Sequence, residues 1–126
     1  GGAPLINEIS PRVHNSGHLT LDACNVSQFE QHVRAVLGLP LVAIRTLGAA
    51  AMVNILDAQE LHACSPARPT VDRSPQGNVS VYWYGKTPGR TGRKMGHINA
   101  LAPGASEALD LARQTLAGLA QSHNGR

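Results

Sequence analysis

Two strand-forming stretches flank a glycine-rich turn in the second half of the chain, and this arrangement limits the fold more than any other feature. Val79 to Tyr84 alternates, with Val79, Val81 and Trp83 on one face and Ser80, Tyr82 and Tyr84 on the other. Lys94 to Leu101 is a second strand candidate, and Gly85 to Arg93 between them holds three glycines and one proline. The spacing predicts a hairpin with a long basic loop. Ala50 to Leu56 reads as a further strand. Ser106 offers a cap for a final helix, with Leu109, Ala112, Leu116 and Leu119 on its buried side. The polar tail from Gln121 reads as frayed.

The first third of the chain has a different character. Leu5 to Ile9 is a short strand candidate ended by Pro11, and a polar loop follows from Arg12 to His18. A lone strand has no sheet of its own, which predicts pairing partners upstream. Ser27 with Glu30 fits a capping box, so a helix is expected from about Gln28 to Leu37. Phe29, Val33, Val36 and Leu37 give it one apolar face, Gly38 sits where a C-terminal cap belongs, and Pro40 prevents continuation. Residues 57–78 hold three prolines and scattered charge, and read mostly as loop. The expected fold class is α+β, with a boundary near Leu47: residues 1–46 carry strand, loop and helix, and residues 47–126 form a small β-rich domain closed by a terminal helix.

A chain of 126 residues buries a core of one small domain, or one domain and part of another. One Trp, two Tyr and one Phe leave that core to Leu, Val, Ile and Ala. The formal charge of +3 points to an anionic partner, and Lys86, Arg90, Arg93 and Lys94 fall close together. Aromatic residues precede this cluster instead of interleaving with it, which favours a discrete phosphate over a nucleic-acid strand. Cys24 and Cys64 show no zinc or redox spacing, and read as free thiols in a reducing cytosol. The first residues lack a secretory leader pattern, and no apolar run reaches the ~20 residues a bilayer requires. A cytoplasmic protein is expected, with no membrane partner.

Chemistry concentrates in two places. In the first, Asn7 and Glu8 stand at a strand end, where a carboxylate beside an amide can hold Mg²⁺ through oxygen. Arg12 offers a planar fork for an oxyanion, His14 can exchange a proton near neutral pH, and Asn15 follows it. A polar loop on any soluble protein satisfies the same pattern, and the residues alone do not choose between the two. His14 and His18 are four apart, but Pro11 and Gly17 argue against the helix a zinc pair would need. The second place is Tyr84 to His97. Its glycines let a backbone approach an anion, and Lys86 with Arg93 can supply charge-assisted bonds to phosphate. It lacks the P-loop order, and a solvated hairpin tip is the competing reading. His32 reads as surface, Met52 as core filler and Trp83 as packed.

Taken together, the two segments carry a resemblance. Residues 7–18 (Asn-Glu-Ile-Ser-Pro-Arg-Val-His-Asn-Ser-Gly-His), then Ser27 to His32, Arg34 to Pro40, Met52-Val53-Asn54, Tyr84-Gly85-Lys86 and Gly92 to His97 occur in one order. In that order they closely resemble the C-terminal part of the N5-carboxyaminoimidazole ribonucleotide synthetase family, an ATP-grasp group of ligases once classed with phosphoribosylaminoimidazole carboxylase. The likeness covers nearly the whole chain outside residues 57–78. It implies the tail of an ATP-grasp domain followed by the small β-sheet domain. It also implies a reaction in which ATP and Mg²⁺ drive carboxylation of 5-aminoimidazole ribonucleotide by bicarbonate, through carboxyphosphate, in purine biosynthesis.

By the same resemblance, Asn7 and Glu8 contact Mg²⁺ and the ATP phosphates. Arg12, His14 and Asn15 line the bicarbonate site, and Lys86 and Arg93 grip the 5′-phosphate of the ribonucleotide. Ser10, Val13 and Leu19 replace residues usual in the family, and Thr91 stands where a proline is expected. The N-terminal portion, the adenine-gripping segment and the first metal-binding Glu of the family have no counterpart here. Catalysis by this chain alone is therefore not expected, and a homodimer is expected of the complete enzyme. Two other readings stand beside this one: the formate-dependent glycinamide ribonucleotide transformylase, which has a similar Glu-x-x-Pro-Arg-x-His run, and a non-catalytic phosphoribonucleotide-binding remnant.

Overall fold

A computed structural model describes residues 3, 5–57, 70–87 and 89–121. A 3-10 turn, Asn15–Leu19, runs into a one-turn helix α1, Thr20–Ala23, and then into α2, Gln28–Val36. Four strands follow: β1 Ala49–Leu56, β2 Thr70–Arg73, β3 Val79–Trp83 and β4 Lys94–Ala102, before the long helix α3, Ala105–Gln121. The strands form one antiparallel sheet in the order β1-β4-β3-β2. The expected hairpin is β3–β4, with Trp83 opposite Gly96 and Val79 opposite Ala100.

The alternation in β3 explains how the layers stack. Val79, Val81 and Trp83 join Ile55, Met95, Ile98 and Ala100 in the core. Helix α3 covers that face through Ala112, with Leu111, Leu116 and Leu119 packed around it. The opposite face is not left to water: Ser80 and Tyr82 meet Asp22 of α1. All five residues of β3 are therefore buried. Gly96 is required at its place, because a Cβ there would run into the carbonyl oxygen of Tyr82.

Helix α2 forms as its caps dictate. Ser27 Oγ accepts the N–H of Glu30 at 3.1 Å, and Arg34 pairs with Glu30 at 2.8 Å. At the other end Gly38 takes φ +66°, and Leu39 N–H reaches back to Arg34 O at 2.8 Å. The apolar face is not buried, however. Phe29 is half-buried, but Val36 and Leu37 are 71% and 65% exposed.

Three other expectations change. Leu5 to Ile9 forms no strand, and Leu5, Ile6 and Ile9 are largely exposed. A strand exists only through its ladder, and none of the four strands of the sheet pairs with this segment. Within the span read as loop, Thr70–Arg73 pairs with β3 as an edge strand, while residues 58–69, including Cys64, lie outside the described residues. Helix α3 starts before Ser106: Gly104 N–H is satisfied by Glu107 Oε2 at 3.1 Å, and Ala108 N–H bonds Gly104 O. The side packed on the sheet carries Ala108, Leu111, Ala112, Leu116 and Leu119, and Leu109 falls outside the core cluster. Trp83 is packed and His32 exposed, as expected. Among the described residues no helix is long and apolar enough to cross a membrane.

Candidate active site

The polar loop is shaped by the helix that follows it. Gln28, the first residue of α2, accepts the N–H of His14 on Oε1 at 3.0 Å and donates Nε2 to His14 O at 2.8 Å. The same amide nitrogen lies 2.7 Å from His18 Nδ1. Gly17 leaves the space this amide occupies, since a Cβ there would collide with it. One side chain thus holds the loop at both ends.

His14 receives two further contacts: Ser16 N–H and Ser16 Oγ lie 3.3 and 2.9 Å from Nδ1. Donors at Nδ1 place the ring proton on Nε2, and Nε2 faces Glu8 Oε1 at 3.4 Å. Asn15 opens the 3-10 turn. Arg12 is exposed and donates Nη1 to Val13 O at 3.1 Å. Asn7 and Glu8 are exposed.

Across from this loop stands the basic turn. Lys86 Nζ donates to Lys94 O at 2.8 Å and lies 4.8 Å from the centre of the Tyr84 ring. Arg93 is exposed, and its Nη1 donates to Thr87 O at 3.1 Å. A cleft of about 580 Å³ separates the two regions, with Val13, His18 and Phe29 on one wall and Tyr82, Tyr84, Lys86 and His97 on the other. The structure therefore brings the loop and Lys86 to one cavity. Arg93 stands at the base of the turn beside β4 and is not among the residues lining the cleft, Arg12 lines a neighbouring groove with Ser10 and His32, and Glu8 reaches the loop through His14.

The floor of the cleft was not visible in the sequence. His97 packs between Tyr82 and His18, and its Nδ1 lies 2.8 Å from Tyr84 Oη. Burial lowers its pKa to about 4, with His18 acting in the same direction and Asp22 opposing. Burial likewise pushes Tyr84 up to about 12, so the phenol stays protonated and can donate to the neutral imidazole. His18 is lowered as well, by burial first and then by Lys94 and His14. Beneath them Asp22 accepts from Arg73, Ser80, Tyr82 and Asn99 at 2.7–2.9 Å. Tyr82 rises to about 12, through burial and its bond to Asp22. A charged residue between Leu21 and Ala23 was the one available signal.

Comparison with known proteins places this geometry in a class. Residues 1–29 match the ATP-grasp domain, and residues 50–111 match the phosphoribosylaminoimidazole carboxylase C-terminal domain. The N5-carboxyaminoimidazole ribonucleotide synthase of Synechococcus elongatus is 45% identical over 118 residues, which is 92% of this chain and 29% of that protein. The crystal structure of N5-carboxyaminoimidazole ribonucleotide synthetase from Thermotoga maritima superposes with a TM-score of 0.70 at 38% identity, covering 90% of this chain and 32% of that one. A synthase from Aspergillus clavatus, in complex with ADP and 5-aminoimidazole ribonucleotide, superposes with a TM-score of 0.64 at 34% identity, over 87% of this chain and 29% of that one. The fold is thus that of the carboxy-terminal part of an ATP-grasp ligase. The chain belongs to the N5-carboxyaminoimidazole ribonucleotide synthase family, and it spans under a third of the length of these relatives.

Proposed function

We propose that this chain forms the carboxy-terminal wall of the active site of a ligase that uses ATP and bicarbonate to carboxylate 5-aminoimidazole ribonucleotide on its amine. Residues 1–46 supply the end of the ATP-grasp unit and residues 47–126 the domain that receives the sugar phosphate. The observation that carries this reading is the shared cleft, with Val13 and His18 of the loop facing Tyr84 and Lys86 of the basic turn.

Each residue set has a task. Arg12, His14 and Asn15 hold the oxygens of bicarbonate and of the carboxyphosphate formed from it, with the His14 Nε2 proton oriented by Ser16. Lys86 and Arg93 take the 5′-phosphate; each offers N–H groups beyond the one bonded to a turn carbonyl. The half-buried aromatic walls of the cleft suit the planar imidazole. Among the described residues no group of three or more His, Cys, Asp or Glu side chains could hold a metal alone. One exposed carboxylate, Glu8, beside the amide of Asn7, suits a cation that shares its shell with substrate phosphates. Glu8 and Asn7 would hold Mg²⁺ there, and the ion would neutralise charge on the transferred phosphoryl group.

The test is a chimaera in which residues 1–126 replace the matching part of the Synechococcus elongatus relative. Ribonucleotide- and bicarbonate-dependent ADP formation is expected, and its loss on Lys86→Ala or His14→Ala. A chimaera that folds and binds the ribonucleotide without turning over would favour the second reading, a phosphoribonucleotide-binding module.

A further inference from the structure

The basic turn is organised by a buried acid at the end of β1. Asp57 is 4% exposed. Its Oδ2 accepts the N–H of Gly89, 32 residues away, at 2.8 Å. Its own N–H donates to Arg93 O at 2.6 Å, and its carbonyl accepts the N–H of Gly92 at 3.2 Å. Gly92 takes φ +82°, a left-handed conformation that makes this bond possible at no steric cost. One residue therefore fixes three points of the turn that carries Lys86 and Arg93.

We propose that Asp57 is a positioning residue for phosphate recognition: by binding the Gly89 N–H from below, it holds the glycine-rich turn in the shape that receives the anion. The inference rests on the reading of this turn as the sugar-phosphate site. A turn with three glycines has many conformations, and ordering it at the moment of binding would cost affinity. Asp57 orders it beforehand. Its buried carboxylate points at a backbone donor, so its bond shapes the turn from within the fold. Among the described residues a Cβ at Gly89 would meet Arg93 Nη1 at 3.9 Å, an ordinary contact, so an alanine fits there.

The experiment is calorimetric titration of the chain with 5-aminoimidazole ribonucleotide. Asp57→Ala is expected to weaken binding about tenfold, and Asp57→Asn to restore most of it, because the amide oxygen accepts the same bond. Gly89→Pro deletes the donor from the exposed side and is expected to reproduce the loss, with Gly89→Ala near wild type. This pair decides the matter even if Asp57→Ala fails to fold. Wild-type affinity in Asp57→Ala and Gly89→Pro, with affinity lost in Lys86→Ala, would overturn the proposal and leave the phosphate site standing. A loss in Asp57→Asn equal to that in Asp57→Ala would also overturn it, since charge and not the bond would then be at work. If Lys86→Ala binds like wild type, or the wild type does not bind the ribonucleotide, the site reading falls and Asp57 with it.

Discussion

Tyr82 and His97 lie directly opposite each other across the β3–β4 pair and stack ring on ring, with centroids 4.5 Å apart and planes 8° from parallel. Neutral imidazole suits this stack, and burial keeps His97 neutral down to about pH 4. The folded pKa lies below the ordinary value of 6.5, so the unfolded chain takes up the proton first. Stability should be indifferent to this group above about pH 6.5 and fall as pH drops from there towards 4, at roughly 1.4 kcal/mol per pH unit. His18, lowered for the same reason, steepens the decline. Urea unfolding at about pH 7.5 and about pH 5 measures it, and His97→Gln should flatten the profile.

Asp22 gathers four donors on one carboxylate that is 5% exposed. Asp22→Ala leaves the Ser80 and Tyr82 hydroxyls without their acceptor, while Asn99 keeps its bond to His18 O, and should cost roughly 3 kcal/mol. Tyr82→Phe removes one bond and should cost roughly 1.5 kcal/mol. Arg73→Ala should cost roughly 0.5 kcal/mol, because that guanidinium is mostly in water. Denaturant midpoints of the three variants rank them.

Gly96 abuts the backbone of β3, so Gly96→Ala must spread the β3–β4 pair and should cost roughly 3 kcal/mol. Gly48→Ala meets nothing and is the control. Thermal melts of the two variants test the contrast.

Val36 at the end of α2 and Leu37 just after it are exposed to water, as are Leu39, Leu41 and Ile44. Val36→Ser with Leu37→Ser should change the stability of this chain by under roughly 0.5 kcal/mol each. The same pair should reduce concentration-dependent association, which light scattering would register.

What the sequence disclosed follows the range of the interactions. Helix α2 was legible because Ser27, Glu30 and Gly38 determine it within one local stretch. The β3–β4 hairpin was legible from alternation and glycine content. Whether that helix's apolar face is covered was not legible, since periodicity marks such a face but not what packs on it. β2 was missed because Thr70-Val71-Asp72-Arg73 has the polarity of an edge strand and little of a core strand's signal. In the candidate site, Lys86 and the His14 loop could be proposed from their chemistry. Asp22, His97 and Asp57 could not, because their partners lie 32 to 77 residues away or across the sheet.

β3 is clamped between α3 and the segment that ends at Asp22, and this has a mechanical corollary. The loop bearing His14 leads into Asp22, so it cannot swing from the sheet without tearing Asp22 from Ser80 and Tyr82, while the turn bearing Lys86 is tied separately, to Asp57. If the proposed ligase opens and shuts to admit substrate, the travel would belong to whatever faces this block, and the block would serve as the fixed jaw.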